Sequence, residues 1–205
     1  MRKRAWFLPL AVGILLACGA VGLTAYNLAL DRAGGARSDA AMTELDRAIE
    51  DGSGSVVSST EDLQAQEAAG LPVLEELMED GTRSYVGVIS VPGLGLRLPV
   101  QETWSYGNLK VSPCRMAGSP EGQDLVILAH NYKSHFGRLK ALKVGDRVTF
   151  TALNGTTYVY TVGAMETVSP LAVEEVTGSE WPLTLFTCTL GGKTRLVVYC
   201  GMADG

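Results

Sequence analysis

The 205-residue chain is 46% hydrophobic and carries a net charge of -5 from 17 basic and 22 acidic residues, enough for one core-bearing domain plus a tail. The acidic balance, with no basic stripe, argues against general nucleic-acid binding. The 2 His and 4 Cys, with no CxxC spacing, argue against a structural zinc site, and no cofactor loop of the GxGxxG or GxxxxGK type occurs. At the N-terminus, Arg2, Lys3 and Arg4 precede an apolar run from about Ala5 to Leu30. That run is long enough to span a bilayer as a helix and exceeds a signal-peptide core. The basic cluster predicts an N-in anchor over residues 1–30 with the rest of the chain outside the cell. Two rivals are a cleaved signal peptide and a lipoprotein processed at Cys18 in "LLAC". The length of the run speaks against the first, and the apolar "GAVGLTAYNLAL" after Cys18 against the second.

From Asp31 to Thr82 the composition turns to Ala, Gly, Ser, Asp and Glu. Residues 31–82 read as a stalk, helical around Met42–Ile49 and Val73–Met78, with a flexible break at "DGSGSVVSS". Residues 83–205 read as a folded β domain. "YVGVISV" and "LRLPV" flank a Gly-containing turn, and "DLVILA" is wholly apolar, as in a strand buried on both faces. "DRVTFTAL" and "TTYVYTV" flank Asn154-Gly155, a strong hairpin signal. "LTLFTC" and "TRLVVYC" flank Gly191-Gly192, and one helical turn is expected at "FGRLKAL". About eight short strands with closely spaced turns predict a mainly β, closed barrel or sandwich with one or two short helices.

The Gly191-Gly192 turn organises the chemistry. A two-residue loop makes Leu190 face Lys193, Thr189 face Thr194, and Cys188 face Arg195, with Cβ atoms roughly 4.5–5.5 Å apart. A longer symmetric loop keeps the same pairing. A thiolate is a nucleophile favoured by nearby positive charge, and a guanidinium can meet an oxyanion or clamp a carbonyl. Acyl transfer also needs a general acid, usually histidine. His130 ends the apolar strand run and His135 lies in the loop that follows; beside a Cys–Arg pair, His130 is the stronger candidate.

These residues carry a resemblance. "TLFTC" is similar to the TLxTC signature of sortases, the membrane-anchored cysteine transpeptidases of Gram-positive bacteria. "LAHNYKSHFGRLKALKVGDRVTF" resembles the sortase segment in which the catalytic histidine precedes a Phe, a helical turn and a Gly-Asp, and Arg195 matches the family's arginine on the final strand. The likeness covers roughly Tyr85 to Cys200. One departure is Ala129, where members often have Gly before the histidine. The resemblance implies an eight-stranded sortase barrel and no cofactor. It implies cleavage of an LPxTG-like C-terminal sorting signal on surface proteins through a thioacyl enzyme. An amine, from a peptidoglycan precursor or a pilin lysine, then resolves that intermediate. It implies Cys188 as nucleophile, His130 as acid and base, and Arg195 as oxyanion or substrate holder, with Thr187 shaping the pocket. In the connection "ETVSPLAVEEVTGSEWP", Glu174, Glu175 and Trp181 are candidate specificity residues, or else a solvated helix with one packed Trp. "HNYKSHFG" is similar to class B, and class D is also open. Lacking an Asp-Pro-aromatic lid motif, the sequence disfavours the pilus class.

Bland readings stand beside these. Cys18 reads as an apolar residue of the anchor, and Cys114 and Cys200 as buried thiols, with a disulfide between them left open. Asn131 and Asp124 are either orienting groups or turn residues. The acidic residues are too scattered for a calcium site, so no metal is expected. Two rival functions remain: a membrane-anchored cysteine peptidase that hydrolyses, and a non-enzymatic surface β domain with Cys188 in its core.

Overall fold

The computed structural model describes residues 7–50, 75–78, 81–189 and 191–203. The basic cluster at residues 2–4 and the expected break at "DGSGSVVSS" lie outside the described residues. The chain divides into two units, Met1–Ala33 and Gly34–Gly205. Helix α1 (Phe7–Glu50) continues through the composition change at Asp31. From Leu10 to Leu30 it exposes large apolar side chains all round, among them Leu15, Leu16, Val21 and Leu23. A helix apolar on every side suits lipid rather than water, and this one is long and apolar enough to cross a membrane.

In the second unit, nine strands are found among the described residues: β1 (Glu75–Met78), β2 (Gly81–Val91), β3 (Leu96–Gln101), β4 (Cys114–Ala117), β5 (Leu125–Ala129), β6 (Arg147–Ala152), β7 (Thr157–Val168), β8 (Leu183–Cys188) and β9 (Arg195–Met202). The sheet runs β1-β2-β3-β4-β5-β8-β9-β7-β6, and β6 pairs back onto β2. Strands β2 to β9 therefore close an eight-stranded barrel, which leaves no open edge. β1 is added as a hairpin on the start of β2. That corrects the expected helix at Val73–Met78. So few residues cannot meet the cost of helix nucleation, while an adjoining strand satisfies their backbone groups at once. β3–β4 and β5–β8 are parallel and the other pairs antiparallel.

Alternation along the strands separates two apolar sets. Ile127, Leu125, Leu185, Leu183, Val198 and Cys200 fill the lumen with Phe136 and Leu139 of the helical turn Phe136–Ala141. A one-turn helix α2 (Tyr106–Leu109) sits in the β3–β4 connection, and on the outer face Val126, Phe186 and Val197 pack under Val176 of the single-turn helix α3 (Val173–Thr177). A third set joins α1 to the barrel: Ala41, Met42 and Leu45 against Tyr85, Val88 and Leu153. Cys114 and Cys200 are both buried, as expected for thiols packed in the core.

Candidate active site

The strand register brings the thiol and the guanidinium together. Cys188 pairs with Arg195 across β8 and β9. The connecting turn closes one residue earlier than a Gly191-Gly192 loop would: Gly192 N–H donates to the Thr189 carbonyl (2.8 Å), and Thr189 N–H to the Thr194 carbonyl (3.0 Å). The pairing of Cys188 with Arg195 survives because the longer loop is still symmetric about it. Leu190, expected to face Lys193, lies outside the described residues. Gly191 and Gly192 have φ of +84° and +71°, the left-handed region where glycine carries no Cβ penalty. Arg195 Nη1 donates to the Gly192 (2.9 Å) and Thr194 (3.1 Å) carbonyls, so the turn holds the guanidinium.

The histidine comes from a non-local pairing. β5 runs parallel to β8 with Ala129 opposite Thr187, and the Thr187 hydroxyl donates to the Ala129 carbonyl (2.8 Å). The residue after each, His130 and Cys188, therefore emerges at the same end of adjacent strands. His130 is half-buried. Burial, then the charge of Lys110, lowers its pKa from the ordinary histidine value, favouring the neutral imidazole at neutral pH.

His130, Thr187, Cys188 and Arg195 line one cavity of about 270 Å³. Its walls are apolar. Pro170 and Val173 come from the β7–β8 connection, Trp104 and Tyr106 from the β3–β4 connection, and Met116, Leu128 and Phe186 from the strands. It lies near the small end of ligand pockets, roughly 300–1,000 Å³, a size for a few side chains of an extended peptide. A shallower groove of about 680 Å³ near Arg147 and Tyr158 is lined by neither Cys nor His.

The other sequence candidates do not line this cavity. Glu174 and Glu175 are exposed on α3, next to the lining residue Val173. Trp181 stacks on Tyr199 (ring centroids 5.9 Å apart, 26° between planes) and covers Gly163, where a Cβ would lie 2.4 Å from the indole. Asp124 Oδ1 accepts from Ser119 N–H (2.9 Å), a turn role. His135 is wholly buried away from the cavity, against Ser38. Sequence reasoning missed Trp104 and Tyr106, 42% and 77% exposed at the cavity rim. The signal was there: two aromatic residues in "TWSYG", between strands and with no partner run. Among the described residues no His, Cys, Asp or Glu cluster could hold a metal ion.

The family model of the sortase domain matches residues 89–203. The chain is a sortase. Among solved structures this sortase is similar to sortase C1 from Streptococcus agalactiae, 30% identical over 59% of this chain and 68% of that one, with a TM-score of 0.52. It shares its fold with sortase A from Corynebacterium diphtheriae (20% identity, 91% and 96% covered, TM-score 0.56). The same holds for a sortase D5 transpeptidase from Clostridium perfringens (18% identity, 72% and 91% covered, TM-score 0.54). Comparison with curated proteins finds no match. These relatives are of classes C, A and D, and the class B likeness of "HNYKSHFG" gains no support from them. Membership makes the protein a cysteine transpeptidase acting on surface proteins that carry sorting signals, and decides against the hydrolase and non-enzymatic readings.

Proposed function

We propose that this sortase cleaves an LPxTG-like signal through a thioester on Cys188 and transfers the acyl group to a cell-wall amine, a peptidoglycan precursor. The observation that supports this most is the common cavity of Cys188, His130 and Arg195. Cys188 Sγ attacks the threonine carbonyl, and the thiol proton passes to His130, which burial keeps neutral and able to accept it. Arg195 meets the oxyanion. Its Nη1 is committed to the turn carbonyls, while a guanidinium carries five donors in all. As the oxyanion collapses, the Thr–Gly C–N bond breaks and His130 protonates the leaving amine. The incoming amine then gives His130 a proton as it attacks the thioester, and the proton returns to the departing thiolate. Thr187 holds β8 to β5 beneath this site. Glu174 and Glu175, beside Val173, contact the part of the signal that runs beyond the cavity.

Residues 1–30 anchor the enzyme, residues 31–82 connect, and residues 83–205 catalyse outside the membrane. Arg2, Lys3 and Arg4 before the apolar helix support that orientation. The test is mass spectrometry of the full chain with an LPxTG-type peptide, with and without a soluble amine. Wild type should gain the acyl mass and release it as the amide; Cys188→Ala should do neither. Turnover by Cys188→Ala overturns the assignment, and protease resistance of the domain on intact protoplasts overturns the orientation.

A further inference from the structure

The His130–Gly137 loop is closed tightly on itself. The Tyr132 carbonyl accepts from His135 N–H (3.0 Å) and Gly137 N–H (2.8 Å), and the His130 carbonyl from Phe136 N–H (3.2 Å). Those bonds fix the backbone but not the imidazole, which still has to be aimed at the cavity. A ring lies against it: Tyr132 stacks on His130 with centroids 4.8 Å apart and 28° between planes. Tyr132 also meets the wholly buried His135, with centroids 5.3 Å apart, so contacts between three rings link the cavity to the interior.

Helix α1 backs this row. Gly34, Ser38, Ala41, Met42 and Leu45 are buried and spaced as one face of a helix. A Cβ at Gly34 would lie 2.9 Å from Tyr132 Cδ2 and 3.5 Å from His135 Cε1, so only glycine lets the helix come this close. One turn on, Ser38 Oγ donates to the Val111 carbonyl (2.7 Å) and lies 3.3 Å from His135 Nε2. A hydroxyl has a single proton. With that proton committed to Val111, Ser38 can only accept from His135, and Nε2 must be the protonated nitrogen. The helix thus fixes the tautomer of His135 as well as its place.

We propose that Tyr132 is a positioning residue for His130, and that Gly34, Ser38 and His135 hold Tyr132 in place, making the Gly34–Asp46 part of α1 a support of the acid–base group. The inference rests on the reading of His130 as acid and base. Around His130 stand Lys110, Cys188 and Arg195; none of them touches the Gly34 contact, so a change at Gly34 reaches the imidazole through Tyr132.

The test uses the full chain in detergent with an LPxTG-type peptide and a soluble amine, and reads kcat and KM for Gly34→Leu, Tyr132→Ala, Tyr132→Phe and His130→Ala. Leucine favours helix more than glycine does, so Gly34→Leu leaves α1 intact while pressing on Tyr132. Gly34→Leu and Tyr132→Ala should each lower kcat about 10- to 100-fold with KM within about twofold, the size expected when a reacting group is misplaced by about an ångström. Tyr132→Phe, which keeps the ring, should recover most of the loss, and Gly34→Leu should add little to Tyr132→Ala because both act through one contact. With only two histidines in the chain, NMR titration gives a second readout. The His130 resonance should shift, and its pKa move back toward the ordinary value, when Tyr132 is removed. If His130→Ala is inactive while Gly34→Leu and Tyr132→Ala keep wild-type kcat, the inference is overturned and the reading of His130 stands. If His130→Ala itself retains kcat, that reading has failed.

Discussion

Replacing Gly191 and Gly192 together by valine tests whether the β8–β9 turn sets the site. No heavy atom lies within 4 Å of where a Cβ would be added at either position, so no clash contributes and the whole cost is conformational. Both residues sit at positive φ, and a side chain held there costs about 1–3 kcal/mol, or about 2–6 kcal/mol for the pair. The Thr189–Thr194 bonds close the ladder below the loop and can persist when only the loop rearranges; three further hydrogen bonds depend on the loop's conformation, Gly192 to Thr189, and Arg195 Nη1 to Gly192 and to Thr194. At roughly 0.5–1.5 kcal/mol each they sum to about 1.5–4.5 kcal/mol. The strain matches or exceeds them, so the turn rearranges and Arg195 loses its two carbonyl anchors. The β8–β9 ladder beyond Arg195 is untouched, so the barrel stays folded, and the melting temperature should fall by about 3–18 °C at 2–4 °C per kcal/mol lost. Transpeptidation of an LPxTG-type peptide should fall at least tenfold, about 1.4 kcal/mol, without alteration of any reacting group. Asparagine at both positions, which tolerates left-handed backbone, should retain most activity. A double-valine enzyme with wild-type kcat would refute the idea that the turn positions Arg195.

Three further outcomes follow from the packing. Gly87, at the bulge of β2, has φ of +156°, and a Cβ there would meet the Thr151 carbonyl oxygen at 2.3 Å. Because that obstacle is backbone, Gly87→Ala should destabilise by about 2–4 kcal/mol in urea unfolding. A chain beginning at Thr82 should be soluble, since the apolar helix is gone. It also uncovers Tyr85, Val88 and Leu153, from which Met42 and Leu45 are lost, so its thermal unfolding should reveal a deficit of about 3–6 kcal/mol. Burial pushes the Cys200 thiol up from 9.0 to about 12. Between those values the unfolded chain gives up a proton that the folded one keeps, so stability present below pH 9 is lost as pH rises to 12. Cys200→Val should flatten that alkaline decline in urea midpoints.

How much of this was written in the sequence depends on how local each relation is. The Cys188–Arg195 pairing was legible because both residues flank one turn, and counting outward gives the partner whether two or four residues close the loop. The Asn154-Gly155 hairpin was legible for the same reason. That His130 joins them was suggested only by its place at the end of an apolar strand. The parallel pairing of Ala129 with Thr187 links residues 58 positions apart, and no periodicity reports it. The buried face of α1 was hidden by composition: Gly34, Ser38 and Ala41 carry almost no hydrophobic signal, because close approach rather than area is what that surface provides. Glu75–Met78 looked helical by propensity and became a strand through its neighbour. Trp104 and Tyr106 belong to no periodic element, and a pattern search passes over them.

Cys188 projects from the outer surface of a barrel whose lumen is filled by Ile127, Leu185 and Val198. The cavity beside it is walled by two inserted connections, one bearing Trp104 and Tyr106 and the other Pro170 and Val173; on the proposed function these are what the substrate meets. Neither connection supplies a side chain to the lumen cluster. Those two segments can drift, lengthen or be exchanged between relatives while the scaffold beneath them keeps folding. New peptide preferences can then arise in those loops without any change at Cys188, His130 or Arg195, the residues proposed to react.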